Sequence, residues 1–179
     1  MVEIEKKYRL PEGLRPLVVG ELKELGAEFV REDFEENTIY GGEVLAETGA
    51  VVRIRRADNK AFLTYKRRME DRSDAKHQLE YETQISDAGA ADSIMRELKL
   101  RPKLVYEKRR QTWRFRDVEV VIDELPFGLF MEVEGSVTSI KEAEMLLGLE
   151  DLETEHETYP MMTARLGVKI GEAIEARFS

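Results

Sequence analysis

The chain has 179 residues, 42% hydrophobic and 36% charged, with a formal net charge of −9 at pH 7. This suits a single domain, residues 1–179, with a real core, and the acidic balance argues against nucleic acid or an anionic membrane as a partner. With no cysteine, disulfides, thiolate nucleophiles and Cys-bound zinc are excluded, and the only two histidines, His77 and His156, lie far apart without ligand spacing, so a His-based zinc site is not expected.

The opening MVEIEKKYRL is charged and has no apolar leader segment, and no apolar run is long enough to span a bilayer, so a cytoplasmic location is expected. From Val2 to Leu10 the residues alternate with period two, as a strand does. Glu3, Glu5, Lys7 and Arg9 share one face, and Val2, Ile4, Tyr8 and Leu10 share the other, with Lys6 interrupting. Leu14 to Leu25 has helical spacing and stops at Gly26. VVRIRR then sets Arg53 and Arg55 against Val52 and Ile54, and AFLTYKRR sets Thr64, Lys66 and Arg68 against Leu63 and Tyr65. Asp71 to Lys76 reads as a mobile polar loop. In QLEYETQI, Glu80 and Glu82 oppose Leu79, Tyr81 and Ile85. Asp87 is placed to cap a helix through Ile94, Met95 and Leu98. LVYEKRRQTWRF puts Lys108, Arg110, Thr112 and Arg114 on one face. VEVVIDEL adds Glu119 and Asp123, and LFMEVEG adds Glu132 and Glu134. Thr138 or Ser139 would cap a helix ending near Gly148, and a last helix is expected after Pro160. GELKELGAEF and MRELKLRPKL both pass from helix into strand, a weak internal repeat.

A solvated outer sheet face would explain any one of these charged strands. Two facts weigh against it for the whole chain. Acidic and basic pairs segregate by strand, and the intervening helices must cover an apolar sheet face. An α+β fold satisfies both: a closed antiparallel β-barrel with a polar interior, its apolar exterior clad in helices. Lys7, Arg53, Arg55, Lys66, Lys108 and Arg110 would line part of that interior. Guanidinium groups grip phosphate oxygens bidentately and Lys supplies compact charge, so a condensed phosphate chain is the fitting ligand. Glu3, Glu5, Glu80, Glu82, Asp123, Glu132 and Glu134 supply hard oxygens suited to Mg²⁺ or Mn²⁺. Buried charge of both signs is costly unless paired or metal-bound, which favours a functional interior.

These motifs resemble the CYTH superfamily, the triphosphate tunnel metalloenzymes, in order along the chain. Glu3-Ile4-Glu5-Lys6-Lys7 matches its E-x-E-x-K signature. Arg53-Ile54-Arg55 resembles the R-x-R strand, Leu63-Thr64-Tyr65-Lys66 the L-T-x-K strand, and Glu80-Tyr81-Glu82 the E-x-E strand. Lys108-Arg109-Arg110 resembles K-x-R, DELPFGLFMEVE from Asp123 to Glu134 resembles the acidic ending, and Tyr159 stands where many members carry a tyrosine. The resemblance implies eight antiparallel strands around a tunnel, Mg²⁺ or Mn²⁺ dependence, and a linear triphosphate substrate: inorganic triphosphate, thiamine triphosphate or ATP. It is compatible with a monomer or a homodimer.

Two reactions share such a scaffold: hydrolysis of the terminal phosphoanhydride, and cyclisation of ATP as in class IV adenylyl cyclases. Hydrolysis needs only the tunnel and is preferred, although the segment order and the ELGAEF stretch resemble the cyclase branch. A non-catalytic polyphosphate or nucleotide binder is the third reading, disfavoured because anion binding alone has no use for facing carboxylates. Glu5, Glu132 and Glu134 are expected to hold the ion that bridges to phosphate. Glu3, Glu80, Glu82 and Asp123 are expected to act in catalysis, as ligands of a second ion or by orienting water, with Glu3 and Asp123 the foremost metal ligands among them. Arg9, Arg68, Arg114 and Glu119 share the tunnel parity without an assigned role. Trp113 is expected to pack outside the tunnel, and Tyr8, Tyr65 and Tyr81 are expected in the core. Lys6, Arg109, His77 and His156 are expected at the surface.

Overall fold

A computed structural model describes residues 4–11, 13–68 and 78–179, the side chains of Arg68 and Gln78 excepted. Glu3, His77 and the segment Asp71 to Lys76 lie outside the described residues. The chain forms β1 (Glu5–Leu10), α1 (Arg15–Glu24), β2 (Glu28–Gly41), α2 (Glu43–Thr48), β3 (Ala50–Ala57), β4 (Lys60–Arg68) and β5 (Gln78–Ile85). Then come α3 (Ala88–Glu97), β6 (Arg101–Phe115), β7 (Val118–Leu125), β8 (Gly128–Glu134), α4 (Val137–Leu147), α5 (Tyr159–Leu166), β9 (Val168–Ile170) and β10 (Ala173–Ala176). The fold is α+β, as expected. Neighbouring strands run in the order β1-β8-β7-β6-β2-β3-β4-β5, with β1 and β5 at the two ends of the path. The expected set of eight strands is extended by the β9–β10 pair, of which β10 lies parallel to the start of β6.

Local sequence explains the boundaries. Proline is tolerated in the first helical turn, where its missing N–H would be unbonded anyway; Pro16 and Pro160 stand there in α1 and α5. The Asp87 carboxylate caps α3, accepting from the backbone N–H of Gly89 at 2.8 Å and of Ala90 at 2.9 Å. α4 starts earlier than expected: its cap is Ser136, whose Oγ accepts from Ser139 N at 3.0 Å, so Ser139 is the capped residue and not the cap. α4 closes at Gly148 in the left-handed conformation, φ 62°. The β3–β4 and β6–β7 hairpins turn over two residues, with Asp58 at φ 47° and Arg116 at φ 51°.

Two compact units share the chain, and β2 and β6 each contribute a half to both. One contains Glu35–Glu107 and Thr158–Ser179, the other the described residues from Ile4 to Phe34 and Lys108–Glu157. In the second, the apolar-face residues of β1, β7, β8 and the end of β6, among them Tyr8, Trp113, Ile122 and Met131, pack with α1 and α4 through Leu22 and Ile140. Burying each such side chain contributes about 1.5–3 kcal/mol. In the first, Tyr40, Val52 and Ile54 pack with Leu45 of α2 and Ala91 of α3, and Tyr65 joins at the margin. Both cores lie on the apolar parity read from the sequence. Tyr81 departs from it: it is 64% exposed, beside Tyr65 on the strand at the end of the path. Lys6, expected at the surface, has a side chain 39% exposed that reaches the carboxylate of Glu144 on α4, which also accepts from Tyr8 Oη at 2.6 Å. His156 is exposed and Arg109 pairs with Glu124 at the surface, as expected, and Trp113 is buried among the apolar-face residues.

In the first unit the chain end is fastened to the sheet. Arg177 donates to Glu36 at 2.7 Å, Glu107 at 2.8 Å and Glu175 at 2.6 Å. No helix among the described residues is long and apolar enough to cross a membrane.

Candidate active site

The charged parity of each unit forms one sheet face. In the second unit the register sets Lys7 opposite Glu132, Glu5 opposite Glu134, Glu134 opposite Glu119, and Asp123 opposite Arg110. Period-two alternation with antiparallel pairing therefore puts Lys7, Glu132, Asp123, Arg110 and Lys108 on one face of four adjacent strands. Asp123 is fully buried, Lys108 is 5% exposed, and Lys7 and Glu132 are 8% exposed. Asp123 accepts from Arg110 Nε at 2.7 Å and from its Nη2, and Lys108 Nζ approaches at 3.5 Å. Arg110 Nη2 also donates to Glu132 at 2.8 Å, and Lys7 Nζ lies 3.3 Å from Glu132 and donates to the Glu157 carbonyl at 3.2 Å. At the margin Arg9 donates to Glu155 at 2.7 Å and lies over the Phe130 ring. Burial alone would raise the Glu155 carboxyl, but the Glu157 backbone N–H and Arg9 outweigh it and hold it below its ordinary range. Arg114 pairs with Glu28 in solvent, and Glu119 is exposed.

In the first unit the face runs over β2, β3, β4 and β5. Arg53 lies opposite Thr64, Arg55 opposite Asn37 and Phe62, Thr64 opposite Glu82, and Lys66 opposite Glu80. Glu82 accepts from Thr64 Oγ1 at 2.7 Å, Arg55 Nη2 at 3.1 Å and Arg53 Nη2 at 3.4 Å. Lys66 pairs with Glu80 at 2.7 Å. The Nε atoms of Arg53 and Arg55 are both buried with no acceptor among the described residues. A buried N–H without a partner costs the desolvation of the group, so both atoms call for an acceptor.

The expected site residues thus form two sets. Lys7, Lys108, Arg110, Asp123 and Glu132 meet in one, with Glu5 and Glu134 in the adjoining row, and Arg53, Arg55, Lys66, Glu80 and Glu82 meet in the other. Sequence reading missed Glu35 and Asn37 on β2, 2% and 0% exposed, which join the second set. No alternation marks them in the sequence, because Glu36 puts charge on the opposite parity and Ile39 is apolar on theirs.

The donor chemistry suits a hard divalent cation. Glu5 and Glu134 are cross-strand neighbours, and Glu132 follows on the same face of β8. Among the described residues no three acidic or histidine side chains converge into a cation cage. Asp123 and Glu132 instead direct oxygens at Arg110, Lys108 and Lys7. These are the positions a cation and an anion would compete for together, since the one satisfies the carboxylates and the other the guanidinium and ammonium groups.

The family model of the CYTH domain matches residues 1–159. A protein of Methanocaldococcus jannaschii named "Putative adenylate cyclase MJ0240" is 31% identical over 150 residues, 82% of this chain and 84% of the relative. Among solved structures, the PH1012 protein of Pyrococcus horikoshii OT3 superposes with a TM-score of 0.74 at 22% identity, over 88% of this chain and 96% of that one. A Hippeastrum protein described as a "putative adenylyl cyclase" with a dominant triphosphatase activity superposes with a TM-score of 0.61 at 19% identity, over 87% and 90%.

Proposed function

The chain belongs to the CYTH domain family, and from that premise we propose that it is a divalent-metal-dependent triphosphatase, hydrolysing the terminal phosphoanhydride of a linear triphosphate. The observation that carries this reading is the pair of arginines, Arg53 and Arg55, whose buried Nε atoms lack acceptors among the described residues. A condensed phosphate carries several anionic oxygens, acceptors of the kind these N–H groups call for. The proposal includes closure of the strand path into an eight-stranded tunnel, with residues 1–179 acting as one domain. It also includes a cytoplasmic location and a monomer or homodimer free of nucleic-acid and membrane partners, for which the charge of −9 is the support.

Lys7, Arg53, Arg55, Lys66, Lys108 and Arg110 bind the phosphate oxygens. Glu5, Glu132 and Glu134 would hold one Mg²⁺ or Mn²⁺, and Glu3 with Asp123 would serve a second. Such ions neutralise phosphate charge and lower the pKa of water that attacks phosphorus. Glu80 and Glu82 orient that water or hold the cationic groups in place, and Thr64 holds Glu82. Asp123 keeps the Arg110 guanidinium aligned through two N–H contacts, so its charge faces the ligand without reorganisation.

A second reading is a class IV adenylyl cyclase acting on ATP, favoured by the name of the 31% identical relative. Products separate the readings. The purified protein is given inorganic triphosphate, thiamine triphosphate or ATP with Mg²⁺ or with Mn²⁺. Orthophosphate released from inorganic triphosphate is the expected result. Cyclic AMP with pyrophosphate from ATP establishes the cyclase instead, and tight binding with no product under either metal leaves a binding module.

A further inference from the structure

Glu35 has no place in the family motifs quoted above, yet it is the most deeply buried carboxylate of its sheet face. Its side chain is 2% exposed, against 31% for Glu82 and 28% for Glu80 on the same face. Oε1 accepts from Arg55 Nη1 at 3.3 Å. Oε2 accepts from Asn37 Nδ2 at 3.3 Å, and Asn37 is the register partner of Arg55. On its other side Arg55 donates from Nη2 to Glu82 at 3.1 Å, and its plane lies over the Phe62 ring, 4.6 Å from Cζ to centroid. The two carboxylates on Arg55 therefore differ in kind. Glu82 is reached by solvent and shared with Arg53; Glu35 is enclosed.

We propose that Glu35 is a positioning residue that acts through Arg55. A solvent-reached partner can yield to an incoming anion, whereas an enclosed one stays. With Nη1 committed to Glu35, the edge left for an anion is the one formed by Nε and Nη2. These two N–H groups point the same way and grip two oxygens of one phosphoryl group. A phosphoryl oxygen replacing Glu82 at Nη2 brings a second oxygen to Nε, the atom that has no acceptor among the described residues. Glu35 thus selects which edge of the guanidinium faces the ligand, while Phe62 fixes its plane. This inference rests on the proposed reading that the face binds a linear triphosphate.

The test begins with wild-type protein titrated calorimetrically with inorganic triphosphate in chelator, where binding is read apart from turnover. Glu35→Gln, which keeps the volume and one acceptor oxygen, is expected to weaken binding about tenfold, the size of one charge-assisted contact. Glu35→Asp, one methylene short of Arg55, is expected to do the same and gives a second variant should the first not fold. In an Arg55→Lys background, which has no guanidinium edge to orient, Glu35→Gln is expected to change affinity less than twofold. Nitrogen-15 spectra should show hindered rotation of the Arg55 guanidinium in wild type and free rotation in Glu35→Gln, with the backbone amide spectrum retained. Affinity within twofold of wild type in both Glu35 variants overturns the inference. So does an undiminished loss in the Arg55→Lys background, since Glu35 would then act on the fold and not through Arg55. Wild-type protein that does not bind triphosphate at all refutes the functional reading first and the inference with it.

Discussion

Replacing Asp123 by asparagine isolates the buried charge cluster of β6, β7 and β8. Asparagine keeps the shape and one acceptor oxygen but removes the charge on which Arg110 and Lys108 converge. Removing one partner of a buried ion pair costs about 3–5 kcal/mol, chiefly because the other charge stays buried. The lower end applies here: Arg110 keeps its 2.8 Å contact to Glu132 and is 19% exposed, so water reaches part of the guanidinium. For a chain of this length each kcal/mol moves the melting temperature by about 2–4 °C, so a drop of roughly 6–12 °C is expected. Melting is followed by circular dichroism at pH 7 in chelator, beside Glu119→Gln as the control for an exposed acid on the same face, whose effect should stay within about 0.5 kcal/mol. Inorganic triphosphate at about a hundred times its dissociation constant should stabilise wild type by roughly 2.7 kcal/mol. It should recover more than that in Asp123→Asn, where the anion replaces the missing counter-charge. A melting temperature within about 2 °C of wild type would refute the argument, because Asp123 would then not hold the cluster.

Three further outcomes follow from particular contacts. Arg53→Ala should weaken triphosphate binding roughly ten- to a hundredfold by calorimetry, the effect of one lost charge-assisted contact; unchanged affinity would return Arg53 to a solvated sheet face. Burial alone would raise the Glu144 carboxyl, but hydrogen bonds from Lys6 and Tyr8 outweigh it and hold it below its ordinary 4.5. A carboxylate depressed in the folded state contributes stability above its unfolded value and loses it as pH falls through the folded one. Stability should therefore decline below pH 4.5, and the decline should be shallower in Glu144→Gln; parallel curves would contradict the assignment. Ser136→Ala should cost about 1 kcal/mol and a few degrees in melting temperature, while Thr138→Ala should cost much less; equal effects would mean that Ser136 is not the cap.

What could be read in advance was whatever obeyed one period. β3, β4, β7 and β8 alternate because one face packs on a core and the other carries charge, β1 and β5 alternate apart from Lys6 and the exposed Tyr81, and their register then gathered most of the expected site residues into two sets. β2 escaped because its first half, EFVREDF, carries charge on both parities and is largely exposed, so no alternation marks it. Glu35 was lost with it, and its burial depends on Arg55, a contact made across strands twenty residues apart. α2 is a six-residue helix between two strands, too short for a helical period to register. Tyr81 had the right parity and the wrong strand: parity says which way a side chain points, and only the helices decide how far along the sheet that side is covered.

The fastening of the chain end bears on where this protein can be cut. The family match stops at residue 159, a natural point at which to end an expressed fragment. Such a fragment would lose β10 and leave the backbone groups of Leu104, Val105 and Tyr106 without the strand they pair with. It would also lose Arg177, leaving Glu36 and Glu107 without the cation they share. An unpaired strand edge is a template for other chains, and Glu107 would lose its guanidinium partner while Glu36 kept only Arg56. Material ending at 159 should therefore precipitate on concentration, since it also lacks Phe178, whose N–H is committed to Glu107 at 2.9 Å.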